Sequence, residues 1–178
     1  HSATENQVLI EAYLPGREFC VAVCGQVTAR QRRLQRSDDP FTFAAVERVL
    51  EPGDRIFTSM DERRITNDRL KRLDPTADAA EILCLRELAR EVFLEFNLET
   101  LIRLDVRADA AGKMFVLEAN PKPDLKAPSA SETSIICAGL PEQGMDYDDL
   151  ILSLLADRLD LLFSQRRGAV SHLTALLN

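Results

Sequence analysis

Two short runs, Arg103-Leu104-Asp105-Val106-Arg107 and Val116-Leu117-Glu118-Ala119-Asn120-Pro121, constrain this chain most, because both alternate apolar and polar residues at the period of a β-strand. The interval between them, Ala108-Asp109-Ala110-Ala111-Gly112-Lys113, is small and polar with Gly112 near its end, the composition of a tight hairpin connection. A hairpin centred on Ala111-Gly112 sets Asp105 opposite Glu118 and Arg103 opposite Asn120. Side-chain direction repeats every second residue of a strand, so these four share one face. Leu104, Val106, Leu117 and Ala119 are then expected to face the core.

Two carboxylates facing each other across a sheet repel unless a cation lies between them or one takes up a proton. Oxygen donors from Asp105, Glu118 and Asn120 suit Mg²⁺ (or Mn²⁺), which keeps several waters and completes its octahedron with substrate phosphates. That donor set points to a nucleotide. The same residues also read as a solvated polar face whose charges never meet, with Pro121 ending the second strand just past Asn120.

These residues resemble the metal-binding hairpin of ATP-grasp ligases, the D-alanine-D-alanine ligase group above all. Near the start, Val8-Leu9-Ile10-Glu11-Ala12-Tyr13-Leu14-Pro15-Gly16-Arg17-Glu18-Phe19 is similar to that family's hinge strand and the Gly-Arg-Glu turn after it, where adenine and ribose are held. Asn120-Pro121-Lys122-Pro123-Asp124-Leu125 and Gly144-Met145-Asp146-Tyr147-Asp148-Asp149-Leu150 resemble its closing loop and last helix. The resemblance implies an α+β fold, the ATP-grasp C-terminal subdomain, with a largely antiparallel sheet packed with helices. It implies Glu11 beside the adenine, backbone groups of Ala12, Tyr13 and Leu14 on the ring, and Glu18 on the ribose hydroxyls. By the same likeness Asp105, Glu118 and Asn120 hold the metals that bridge the ATP phosphates. Arg103 steadies the transferred phosphoryl group or the acyl phosphate, and Ser129 stands where the ligases place a substrate-contacting serine. The implied activity is ATP-dependent joining of a carboxylate to an amine through an acyl-phosphate intermediate.

The chain also departs from that pattern. Asp124 occupies the position after the closing-loop proline where the ligases carry Gly, which leaves open a ligase with a different acceptor, or a non-catalytic nucleotide- or cation-binding domain. A lysine that follows the strand resembling Arg55-Ile56-Phe57-Thr58-Ser59-Met60 is replaced, the next cations being Arg63 and Arg64. The seven glycines form no GxGxxG or GxxxxGK phosphate loop, and in the family that loop and two further lysines precede the hinge strand. His1-Ser2 is therefore expected to be a tag scar, and residues 3–178 the C-terminal half of a larger ligase-like protein that binds ATP poorly without its upstream half.

Composition removes other classes. A net charge of −7 argues against a nucleic-acid partner, and the one basic cluster, Arg30-Gln31-Arg32-Arg33, reads as a solvated loop. Cys20, Cys24, Cys84 and Cys137 lack metal-site spacing and are expected as free thiols. No apolar run approaches the roughly 18 residues of a membrane span, so a soluble cytoplasmic protein is expected. His172 has no ligand-type partner at helical spacing, and without a GxSxG turn a hydrolase triad is not expected. Helical spacing predicts helices over 77–96 and 146–166, with a short third over 169–177. Strands are expected over 8–14, 19–23, 46–50 and 54–58, the first two joined as a hairpin by Pro15-Gly16.

Overall fold

Strand β1, Glu18–Cys24, is buried at every position. A strand with no exposed residue must lie inside a sheet covered on both faces. The structure, a computed structural model, describes residues 10–50, 67–130 and 132–165. In it β1 is flanked antiparallel by β5 (Val46–Arg48) and β7 (Ile102–Ala108), with β6 (Leu70–Arg72) beyond β5 and β8 (Met114–Asn120) beyond β7. β4 (Phe41–Thr42) pairs with the last residues of β1. The expected α+β architecture with an antiparallel sheet is therefore present.

Alternation along β1 and β7 feeds two apolar layers. Phe19, Val21, Val23, Ile102, Leu104 and Val106 pack against α1 (Ala79–Glu95), which presents Leu85, Ala89 and Phe93 at helical spacing. On the other face Ala22 and Cys24 meet Phe43, Ile136, Leu140 and Leu150. Ile136 belongs to α2 (Ile135–Gly139), a short helix the sequence did not announce. Ahead of α1 the Asp74 carboxylate collects the N–H groups of Thr76 and Ala77, both at 2.8 Å. Asn97 ends the helix with φ of 48°, and the N–H groups of Asn97 and Leu98 return to the carbonyls of Leu94 and Phe93. Arg17 ties the layers together. Its guanidinium grips Glu47 at 2.9 and 2.6 Å, reaches Asp78 at 2.8 Å and lies over the Phe19 ring. These hydrogen bonds hold its pKa above the ordinary guanidinium value.

A second unit, β2 (Val27–Arg30) and β3 (Arg33–Arg36), sits on α3 (Tyr147–Gln165). Its turn is the basic cluster read as a solvated loop. The side chains are exposed, but the backbone is docked: the buried Asp149 carboxylate accepts the N–H groups of Gln31 and Arg32 at 3.0 and 2.8 Å. One helical step further, Ser153 Oγ accepts the N–H of Ala29 at 2.7 Å, and Asp157 accepts those of Gly25 and Val27. Four helical residues rise about 6 Å and two strand residues about 6.6 Å, so side chains at 149, 153 and 157 can stand in for a neighbouring strand. A Cβ at Gly25 would overlap the Asp157 carboxylate.

Two expectations fail. Residues 10–17 form no strand and no hairpin with β1, because both edges of β1 are taken, by β5 and by β7; ahead of β1 the backbone of Gly16 and Arg17 meets β7 at Ala108. Even there the approach is close, since a Cβ on Gly16 would lie 2.6 Å from the Ala108 carbonyl oxygen. Leu117 and Ala119 do not face the core. β8 is an edge strand from which Met114 packs against the α1-side core, and a register shift between Asp105 and Val106 pairs Val106 with Val116, leaving Leu117 bulged and 54% exposed. Residues 8, 9, 54–58, 63, 64 and 166–177, including His172, lie outside the described residues, as does the His1-Ser2 pair.

Candidate functional site

The β7–β8 ladder pairs Arg103 with Asn120 and Asp105 with Glu118, as the alternation and turn composition predict. Adding β1 and β5 extends those pairs into rows across one sheet face. Arg48, Glu18 and Arg107 are successive Cα partners on β5, β1 and β7. The next row runs Val46, Cys20, Asp105 and Glu118, and the next Ala22, Arg103 and Asn120. Every member except Glu118 and Asn120 is buried or nearly so.

Buried charges survive only when paired. Here pairing is dense. Glu18, 5% exposed, receives Arg48 Nη1 at 3.1 Å on Oε1 and Arg107 Nη1 at 3.4 Å on Oε2. Asp105, 6% exposed, receives Arg103 Nε at 2.7 Å on Oδ1 and Arg103 Nη2 at 2.9 Å on Oδ2. Arg48 Nη2 lies 3.3 Å from Oδ2 of the same aspartate, and Cys20 Sγ donates to Oδ1 at 3.3 Å. Burial pushes the Cys20 thiol well above its ordinary value, so it remains a neutral donor. For Arg103 burial alone would lower the pKa; the Asp105 bonds, with Glu118 nearby, outweigh it and hold the guanidinium above its ordinary value. Arg103 is thus the cation paired with Asp105, with the Glu118 charge nearby.

The structure brings together Arg103, Asp105, Glu118 and Asn120, and sets Glu18 one row away on the same face. Glu118 is exposed on the edge strand and accepts no hydrogen bond among the described residues, while Asn120 Oδ1 accepts the Lys122 N–H at 2.8 Å. Among the described residues no three His, Cys, Asp or Glu side chains converge as a metal cluster. The donor set for a hard cation is two carboxylates and one amide oxygen. That set fits Mg²⁺ in chemistry, provided Arg103 yields part of Asp105. Glu11, Ala12, Tyr13 and Leu14 lie in the irregular segment ahead of β1, and Tyr13 is drawn to the face by Arg107, whose guanidinium carbon sits 5.3 Å from the ring centre. Among the described residues no hydrogen bond ties Ser129 to the hairpin. Its hydroxyl donates to the Glu132 carbonyl and accepts the Glu132 N–H, each at 3.1 Å, in a local turn.

Arg48, Arg107 and Cys20 were not singled out by sequence reasoning. Arg107 continues the alternation of Arg103 and Asp105 and could have been found from it. Arg48 carried only the weak signal of a charge within a short apolar run. A cavity of about 280 Å³ borders the exit of β8 at Pro121, Lys122 and Pro123, and one of about 640 Å³ lies between α1 and residues 39–45. Neither is lined by the charged residues of β1 and β7.

Comparison with known proteins identifies the family and the fold. A family model described as "D-ala D-ala ligase C-terminus" matches residues 2–156. The D-alanine--D-alanine ligase of Pseudomonas putida (strain GB-1) is 27% identical over 154 residues, which is 86% of this chain and 41% of the relative. Among solved structures, the D-alanine-D-alanine ligase from Coxiella burnetii aligns with a TM-score of 0.60 at 15% identity, over 94% of this chain and 39% of that one. The D-alanine--D-alanine ligase from Bacillus anthracis complexed with ATP aligns with a TM-score of 0.55 at 15% identity, over 86% of this chain and 43% of that one. Likeness at this identity concerns the fold. The chain spans about two fifths of the length of the curated relatives it matches.

Proposed function

Since the chain belongs to the D-ala D-ala ligase C-terminus family, we propose that it is the nucleotide- and metal-binding half of an ATP-dependent ligase that joins a carboxylate to an amine, with D-alanine as the first substrate to test. The observation that carries this reading is the row of Arg103, Asp105, Glu118 and Asn120 across two paired strands beside the buried Glu18. In this reading a substrate carboxylate oxygen attacks the γ-phosphorus of ATP, ADP departs, and the amine nitrogen then attacks the acyl carbon and releases phosphate. Asp105, Glu118 and Asn120 hold Mg²⁺, which would neutralise the phosphate charge.

Arg103 would bind the phosphoryl oxygens and then the acyl phosphate, its planar donor fork exchanging Asp105 for the negative charge that accumulates there. Glu18 would offer the ribose hydroxyls the second lone pairs that Arg48 and Arg107 leave free, and the backbone of Ala12, Tyr13 and Leu14 would meet the adenine beside Glu11. Tyr13 is already held near Glu18 through Arg107. Ser129 contacts substrate once its loop closes. The upstream half of the same protein, in the cytoplasm where ATP and free amino acids coexist, supplies the rest of the cleft. Among the described residues no helix is long and apolar enough to cross a membrane.

Asp124 favours a second reading, a ligase with another acceptor. Its carboxylate lies in the closing loop and accepts the Lys126 N–H at 3.0 Å, adding negative charge near the acceptor. The test is phosphate release from ATP by the full-length protein with D-alanine and with a panel of other amines and carboxylates, alongside Arg103→Met. The expected result is release that requires the acceptor and Mg²⁺ and falls at least a hundredfold in the variant. Nucleotide-dependent thermal stabilisation with no release for any pair would replace the ligase with a binding domain.

A further inference from the structure

Arg48 comes from β5, outside the hairpin that carries the proposed metal residues, yet its guanidinium bridges Glu18 at 3.1 Å and Asp105 at 3.3 Å. Both carboxylates are committed on both oxygens: Arg48 and Arg107 take Glu18, and Arg103 and Arg48 take Asp105. A divalent cation arriving alone at Asp105 would place two positive charges beside two guanidinium groups. In a buried setting, salt and water screen that repulsion weakly. A guanidinium displaced from Asp105 would also have to find a new anion or be left unpaired.

Resting on the nucleotide reading above, we propose that Arg48 is a positioning residue that bars this face to a bare divalent cation and admits the metal only together with a polyphosphate. Arg103 and Arg48 have different freedom. Among the described residues Arg103 hydrogen-bonds Asp105 alone and can exchange that partner for phosphate oxygens. Arg48 is anchored a second time by Glu18 and stays, so its charge persists beside the metal ligand whichever way Arg103 turns. Phosphate oxygens supply the anion that a lone cation lacks. Metal and nucleotide therefore stabilise each other, and by linkage each raises the other's affinity by the same factor.

The test is Mn²⁺ binding to the full-length protein, followed by the loss of the free-ion paramagnetic resonance signal, with and without a non-hydrolysable ATP analogue. Wild type is expected to bind Mn²⁺ at least tenfold more weakly without the analogue than with it. Arg48→Met and Arg48→Gln both remove the charge, the second keeping a hydrogen-bond donor for Glu18 should the first fail to fold. Either is expected to tighten nucleotide-free Mn²⁺ binding at least fivefold and shrink the ratio, while Arg48→Lys behaves as wild type. Unchanged or weaker nucleotide-free binding in the neutral variants, with analogue binding intact, overturns this proposal alone. Failure of wild type to bind the analogue overturns the nucleotide reading with it.

Discussion

The β7–β8 and β2–β3 hairpins both reverse the chain through left-handed backbone, at Gly112 (φ 84°) and at Gln31 and Arg32 (φ 50° and 59°), yet they are held in opposite ways. In the first, β7 lies between β1 and β8, so the ladder satisfies its backbone and side chains of the polar face are left for chemistry. In the second, β2 has one strand partner, and its other edge is satisfied by Asp149, Ser153 and Asp157 of α3. The polar side chains of α3 are thereby used up in holding structure. Both regions pair carboxylates with arginines, nearly buried between Arg103 and Asp105 in the first and exposed at Arg32 in the second. Asp146 and Asp148 at the head of α3 face Arg32 in exposed pairs, an arrangement that contributes little to stability and needs no ligand.

Removing packing from the first region should have the largest effect. Leu104 is fully buried between β1 and α1. Leu104→Ala is expected to cost about 3 kcal/mol, read from the urea midpoint, and to lower amide protection across β1, β7 and α1 together. Protection lost only at β7 and β8 would show that the hairpin is not part of one core.

The second region should lose less, and locally. Asp149→Ala strands the backbone N–H groups of Gln31 and Arg32, with a third at Asp146, and is expected to cost about 2 kcal/mol. Hydrogen exchange should accelerate over residues 25–36 while β1 and β7 stay protected. Uniform acceleration would contradict the separation drawn between the hairpins.

The smallest effect is in acid. Burial raises the Asp157 carboxyl pKa, whereas the Asp149 N–H and Arg32 lower that of Asp146. A raised aspartate favours folding below its unfolded pKa and loses that contribution as pH rises through the folded value. A lowered one contributes above its unfolded pKa and loses it as pH falls through the folded value. Acidification should protonate Asp157 before Asp146, an order that carboxyl carbon shifts would report; the reverse order would place Asp157 in water.

The contrast also explains what could be read from the chain. The Asp105–Glu118 and Arg103–Asn120 register was legible because alternation and a glycine-bearing connection are local signals, and α1 and α3 were legible from their apolar spacing. The bulge that turned Leu117 outward had no local mark, because it is a property of how β8 pairs with β7 and not of either run alone. The docking of β2 depends on an i, i+4, i+8 series more than a hundred residues away, which looks like any polar helix face until the strand is placed against it. Within the candidate site the hairpin residues were visible for the same reason. Arg48 was not, because its role exists only once β5 lies beside β1.

The central claim is that the β7–β8 face, and not the acidic head of α3, receives the metal–nucleotide. Paramagnetic broadening of backbone amide signals by Mn²⁺ with an ATP analogue, in the full-length protein, tests it directly. The account predicts loss of signal at Arg103, Asp105, Glu118 and Asn120 with Gln31, Arg32 and Asp149 unaffected. Broadening centred on Asp146, Asp148 and Asp149, with the hairpin untouched, would contradict it.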